Sequence, residues 1–519
     1  MKELVFTRSL LPALERNSDR IGFIDAGSGR EITYGQHRSR VARLSHAMSA
    51  ELGVAPQDRV AVLSMNSVPY LELWHATMLG AAIMNPLNLR FSADELVYVL
   101  NDSGSQVVFV DSTFAPIVEQ IRARTAVKRV VLLDGSDAPA DVQYEDLIAG
   151  AEERFAPEPD EDSPAVLMYT GGTTGHPKGV VLTQRAEVLN QYHMAMCAPF
   201  SDGGSFLIQT PMFHGATMYG LLGATMFANT VIVLPVFTPQ TSLAACTTYR
   251  PTITLLVPTM IGMVVNHPDF DPDALSSIRR LIYGASPMPT ALLDTLLTLM
   301  PQCEIVQGYG MTEAATVLTM LPASEPRAGR RLASCGRAVP GVQLSIRDEA
   351  GNPVPVGVPG EVWGRGGNFL TEYLNKPEET AHALHEGWYR SGDVGYLDDE
   401  GYLFLVDRAK DMIISGGENV YCVEVENALA THPAVLQVAV FGIPHEVWGE
   451  AVHAICVLRE AGTTTADELI AHARSTIAGY KVPRAVDLRT EPLPLSAAMK
   501  VLKRELRAPY WADQDRTIN

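Results

Sequence analysis

The segment Tyr169-Thr170-Gly171-Gly172-Thr173-Thr174-Gly175-His176-Pro177-Lys178-Gly179 packs threonine hydroxyls, glycines and one lysine directly after the apolar run Ala165-Val166-Leu167-Met168. Glycine lets backbone N–H groups approach phosphate oxygens closely, and hydroxyls and an ammonium add donors and charge. That is chemistry for holding a polyphosphate. It is not the loop that needs Gly directly before Lys and Ser or Thr after it, because His176 and Pro177 precede Lys178 and Gly179 follows it. The same composition also suits an exposed hairpin.

Three further constellations could do chemistry. Gln307-Gly308-Tyr309-Gly310-Met311-Thr312-Glu313 offers a carboxylate beside a hydroxyl. A hard divalent cation on phosphates wants that carboxylate, although a Thr-Glu pair is equally a helix cap. Tyr389-Arg390-Ser391-Gly392-Asp393 offers two acceptor oxygens that match a vicinal diol, or an ordinary turn. Lys500 to Arg507 reads, on charge alone, as a solvated basic helix face. The six cysteines lack metal-ligand spacing and read as reduced thiols of a cytosolic protein. His382 and His385 have no ligand set beside them.

Regular elements must hold these residues. Val60–Met65, Ala82–Pro86, Val107–Asp111 and Val130–Asp134 read as strands, with helices at Tyr70–Leu79 and Ala93–Leu100 between them. Continuous Val/Ile/Leu runs between helices indicate a parallel sheet covered on both faces. Thr230–Leu234, Thr252–Val257, Arg280–Tyr283 and Glu304–Gln307 extend the pattern. Gly and Pro punctuation from Ala350 to Gly360 predicts hairpins or a small barrel. Strands at Val438–Phe441 and Ala454–Leu458 and a helix at Ala466–Ile477 predict a small terminal unit, with a boundary near Asp407 to Asp411. The fold class expected is therefore α/β: large parallel-sheet subdomains plus a small barrel, then a small α+β domain.

With Lys plus Arg at 40 and Asp plus Glu at 59, the net charge is −19. Phosphate backbones need a basic footprint, so a nucleic-acid partner is not expected. The N-terminus carries no signal-peptide pattern. No charged residue occurs from Gly203 to Tyr249. Pro211, His214, Asn229 and Pro235 interrupt that stretch, so it reads as buried strands and helices around a deep pocket rather than a transmembrane segment.

Taken in order, the quoted motifs resemble those of the adenylate-forming (AMP-binding) superfamily, in its acyl-CoA synthetase and fatty-acid–CoA ligase branch. The likeness runs from roughly residue 30 to residue 507. It implies ATP, Mg²⁺ and coenzyme A as reactants, and a small-molecule carboxylic acid. It implies that Thr170, Gly171, Gly172, Thr173, Thr174 and Lys178 hold phosphate, that Glu313, with Thr173, holds the metal, and that Thr312 contacts the nucleotide phosphate. Tyr283-Gly284-Ala285-Ser286-Pro287 resembles the loop that sandwiches adenine, with Gln307, Gly308 and Tyr309 beyond it. Asp393 would hold the ribose and Arg408 the nucleotide. Lys410 sits at the hinge position. Gly416 and Gly417 would line the pantetheine tunnel, and Lys500 would be the catalytic lysine. The chain departs twice from the pattern: Gly171 stands where Ser is usual, and Met499 where Gly precedes the lysine.

The resemblance divides the chain at 1–407 and 408–519, the second part being mobile. It implies two half-reactions, adenylation with pyrophosphate release and then thioester formation. Phe213, His214, Met218 and Gly310 would shape the acyl pocket. Phe237-Thr238 lacks the Asp that amino-acid-activating relatives carry, so an apolar acid is expected: a medium or long fatty acid first, then an aryl or steroid-side-chain acid. Loading of a carrier protein and a non-catalytic nucleotide-binding module are the alternatives. A cytoplasmic location follows, with peripheral membrane contact and a homodimer left open.

Overall fold

The computed structural model describes residues 3–170, 176–408, 412–415, 418–497 and 499–512. Among them four sheets form. The first is an eight-stranded sheet whose centre is Ile83–Pro86, Arg59–Leu63, Val107–Val110 and Arg129–Leu132, all parallel. These strands are buried almost throughout, as continuous β-branched runs between helices require. One edge turns antiparallel, where Pro164–Thr170 meets Lys178–Thr183 and the latter meets Glu372–Tyr373.

The second sheet, of nine strands, carries Glu304–Tyr309, Arg280–Gly284, Ile253–Leu256, Ser205–Ile208 and Thr230–Val233 in parallel. Beyond Thr230–Val233 it continues with Ile21–Asp25, paired parallel, and ends at Glu31–Thr33, paired antiparallel. Between the two sheets lies the helix Val68–Met78, with Trp74, Tyr70 and His75 fully buried. Its start is set by Ser67, whose side chain accepts from the Tyr70 N–H. The long helix Tyr34–Ala50 starts at a reciprocal cap between Thr33 and Gln36.

A five-stranded antiparallel sheet spans Gln343 to Arg408. Its strands pair as an open antiparallel sheet, the hairpin alternative of the Gly and Pro punctuation. A separate small C-terminal domain contains the fourth sheet, with Val435–His445 and Gly449–Leu458 paired along their whole length. The helix Ala466–Thr476 covers it. The uncharged stretch folds as the strand Ser205–Ile208, the turn Tyr219–Gly223, the strand Thr230–Val233 and the helix Pro239–Tyr249. No described helix is long and apolar enough to cross a membrane.

Candidate active site

Thr170 and Lys178 face each other across the antiparallel hairpin that carries the Gly/Thr segment. Gly171, Gly172, Thr173 and Thr174 lie outside the described residues. The Lys178 ammonium sits 5.3 Å from the centre of the Tyr373 ring. Tyr373 in turn donates its phenol to Glu313 Oε1 at 2.9 Å and lies 3.4 Å from the Tyr389 hydroxyl. Burial, then the Glu313 charge, pushes the Tyr373 phenol well up, so it stays a proton donor. One tyrosine therefore links the lysine and the carboxylate. Tyr373 is held because Glu372–Tyr373 pairs with Val180 and Val181. No motif drew attention to it in the sequence.

The ends of Arg280–Gly284 and Glu304–Tyr309 form the floor beside this group. A Cβ on Gly284 would fall 2.2 Å from the Gly308 carbonyl oxygen, so this register demands glycine. Ala285 follows with φ +67°, turning Ser286 toward the cleft. Tyr309 donates to Asp393 Oδ2 at 2.7 Å in a buried contact. Asp393 lies opposite Arg408 in the backbone register. The Gln307 amide reaches the Cys335 sulfur at 3.5 Å and its oxygen lies 3.3 Å from the Tyr283 hydroxyl. Gly310 borders the cleft, but its lack of a side chain has another cause: a Cβ would meet the Thr316 carbonyl oxygen at 1.9 Å. Ala315 and Thr316 both take positive φ, +49° and +109°. Such strain collects at working sites. Thr316 spends its hydroxyl on the Gly215 carbonyl at 2.8 Å, which ties this turn to His214.

The segment holding His214 is strapped down by Asn66. Its amide nitrogen donates to the Thr210 and Leu234 carbonyls, and its oxygen accepts from the Met212 N–H at 2.8 Å. His214 Nδ1 accepts from the Ala216 N–H at 3.2 Å, which leaves the imidazole proton on Nε2. Burial, then the nearby Lys500 charge, lowers the His214 pKa to about 3, so the ring is neutral. Phe213 and His214 border the cleft. Met218 does not: it is fully buried in the core beneath them.

Lys500 arrives from the small domain on a hairpin. Leu495 bridges Val501, and the Ser496 N–H donates to the Lys500 carbonyl at 2.7 Å. Met499 sits in the turn with φ +60°. This is the left-handed conformation for which glycine is the usual residue. The Met499 side chain, like Leu332 and Ala285, packs against the large domain's apolar cluster, which includes Met260 and Leu293. Its carbonyl accepts from the Thr259 hydroxyl, and Arg90 donates to the Leu495 carbonyl. Lys410, Gly416 and Gly417 lie outside the described residues.

The geometry brings Thr170, Lys178, His214, Ser286, Thr312, Glu313, Asp393 and Lys500 to the walls of one cleft of about 3030 Å³ between the domains. Lys178 lies with Tyr373 and Glu313, while Lys500 lies near neutral His214, whose neighbours are apolar. That arrangement suits a polyanion meeting the charged end of a largely apolar acid. Among the described residues no cluster of three metal-ligating side chains occurs. A single carboxylate is nevertheless a normal protein contribution to a magnesium ion held mostly by phosphate and water.

A family model described as AMP-binding enzyme matches residues 12–374, and one described as its C-terminal domain matches residues 424–500. The chain is 37% identical over 485 residues to a feruloyl-CoA synthase of Amycolatopsis, covering 93% of this chain and 94% of that one. It is 35% identical over 491 residues to a long-chain-fatty-acid–CoA ligase of Mycobacterium tuberculosis, covering 94% and 95%. The structure is similar to ATP-bound MatB from Rhodopseudomonas palustris, with a TM-score of 0.89, 27% identity and 99% of each chain covered.

Proposed function

The chain belongs to the AMP-binding enzyme family and is an AMP-forming acid–CoA ligase; we propose that its acid is an apolar-bodied ring acid, with a fatty acid as the runner-up. In the first step a carboxylate oxygen attacks the α-phosphorus of ATP, a new P–O bond forms and pyrophosphate leaves. In the second the CoA thiolate attacks the acyl carbon of the mixed anhydride and AMP leaves. Both reactants of the first step are anions, so the site must supply positive charge where they meet. Lys178 and Lys500 supply it from opposite sides of the cleft. Asp393 holds the ribose diol, and Ala285 and Ser286 border the adenine. Glu313, fixed by the Tyr373 phenol, supplies the carboxylate for Mg²⁺, which when bound neutralises phosphate charge. Neutral His214 offers its Nε2 proton to the acid carboxylate as a hydrogen bond without adding a net charge.

The observation that carries this reading is the convergence of Lys178, Glu313, Asp393 and Lys500 on a single cleft. We further assign residues 1–407 to the large domain and 408–519 to a cap that turns about Lys410, withdrawing Lys500 after adenylation and admitting Gly416 and Gly417. The relative that is a feruloyl-CoA synthase favours a ring acid; the fatty-acid ligase keeps the alkyl reading alive. A panel of acids scored for CoA-dependent AMP release tests the proposal. Ring acids should dominate, and AMP release independent of CoA for every acid would reject CoA as the acceptor.

A further inference from the structure

The helix Pro258–Val265 follows the strand Ile253–Leu256 and has proline at its first position, which presets the backbone of its first turn. Met260, Ile261 and Val264 are buried in the large domain. Thr259, Gly262, Met263 and, just past the helix, Asn266 follow the i, i+3, i+4 and i+7 spacing and border the cleft.

That face meets the small domain at both ends. Asn266 Oδ1 accepts from the Arg459 guanidinium at 2.9 Å on the exposed rim. Thr259, which is half-buried, donates its hydroxyl to the Met499 carbonyl oxygen. Arg90 adds an exposed contact to the Leu495 carbonyl. The exposed contacts exchange readily with water; the Thr259 contact is shielded and adjoins the lysine.

The Met499 carbonyl belongs to the peptide group that leads into Lys500. The surrounding turn closes on itself: the Met499 N–H donates to the Ser496 carbonyl at 2.9 Å, the Lys500 N–H to the Ser496 hydroxyl at 3.1 Å, and the Ser496 N–H to the Lys500 carbonyl at 2.7 Å. A peptide group is planar, so fixing its oxygen fixes the plane from which Lys500 departs.

We infer that Thr259 is a positioning residue for adenylation: by holding the peptide group ahead of Lys500, its hydroxyl aims the ammonium into the cleft where carboxylate and α-phosphate meet. This rests on the ligase reading above. Thr259 exchanges no proton and forms no covalent bond. The domain turn proposed above withdraws Lys500, and with it the Met499 carbonyl, so the thioester step does not use the contact.

The test measures both half-reactions on the full chain, with cinnamate and decanoate as acids and their acyl-AMPs supplied for the second step. Thr259→Val keeps the side-chain shape and deletes the donor; Thr259→Ser keeps the donor. A neutral hydrogen bond is worth about three- to tenfold, so Thr259→Val should lower kcat for pyrophosphate release by that factor. KM for ATP and for the acid, and the rate of thioester formation, should stay within about twofold of wild type, as should both steps in Thr259→Ser. In a Lys500→Ala background, Thr259→Val should add less than about twofold, because the group it positions is gone. A full further loss in that background would show that Thr259 acts on substrate or fold rather than through Lys500, and would overturn the inference. So would a wild-type adenylation rate in Thr259→Val, an equal loss in both half-reactions, or a loss in Thr259→Ser as large as that in Thr259→Val. Absence of pyrophosphate release with every acid of the panel in the wild-type chain would overturn the ligase reading, and the inference with it.

Discussion

Asp393 accepts a buried hydrogen bond from Tyr309, and that bond sets how its carboxylate is presented in the ribose-binding role proposed for it. Hydrogen bonds to a charged group are worth about 1.5–3 kcal/mol. Tyr309→Phe should therefore raise KM for ATP by roughly tenfold with kcat for the acid half less affected, as an ATP titration of pyrophosphate release would show. Met499 presents the opposite case. Its positive φ costs about 1–3 kcal/mol, while its side chain gains apolar burial against the large domain. Glycine there would remove the strain in both cap orientations but the apolar contact only in the docked one. Met499→Gly should slow adenylation by roughly three- to tenfold and leave thioester formation from supplied acyl-AMP unchanged or faster. Loss of both half-reactions together would show that Met499 merely holds the hairpin's fold. The sequence exposed Met499 as a departure from pattern, but not its backbone conformation, which is what makes glycine usual there.

The elements show why some of the site was legible and some was not. Strands such as Arg59–Leu63 and Val107–Val110 announce themselves as β-branched runs, and the sequence placed them to within a residue or two. His214 was found through its Pro-Met-Phe-His-Gly context. Asn66 was not, because it acts on the Met212 N–H across 146 residues of chain and carries no motif of its own. The strand Ile21–Asp25 was missed for the same kind of reason: its parallel partner Thr230–Val233 lies about two hundred residues on. Gly310 was expected to shape the acyl pocket; it borders the cleft, and the nearby Thr316 carbonyl oxygen gives a further reason for glycine that the sequence did not expose. Asn66→Ala would leave the Thr210 and Leu234 carbonyls and the Met212 N–H unpaired, costing about 2–4 kcal/mol. The expected outcome is a lower unfolding midpoint and a raised KM for the acid, with KM for ATP little changed.

Across the whole molecule, a buried histidine pair joins the helices Tyr34–Ala50 and Val68–Met78 and makes stability depend on pH. His75 Nε2 faces the Leu221 carbonyl at 3.0 Å as donor, so its Nδ1 accepts from His37 Nε2 at 2.7 Å. Burial lowers the His75 pKa to about 4 and holds His37 well below its usual range. In the unfolded chain both protonate near pH 6.5. Between pH 6.5 and 4 the unfolded state therefore binds protons that the folded state refuses, and stability falls as pH falls, by about 3 kcal/mol for His75. His75→Gln should flatten the acid slope of the unfolding midpoint over that window.

The two domains themselves carry the central claim, that lysines 178 and 500 meet one triphosphate and that the cap removes the second of them before the thiol attacks. The most direct measurement is the pair of half-reaction rates in Lys500→Ala. The account predicts adenylation slowed at least a hundredfold, with CoA thioester formation from supplied acyl-AMP within threefold of the wild-type rate. An equal loss in both half-reactions, or none in adenylation, would contradict it.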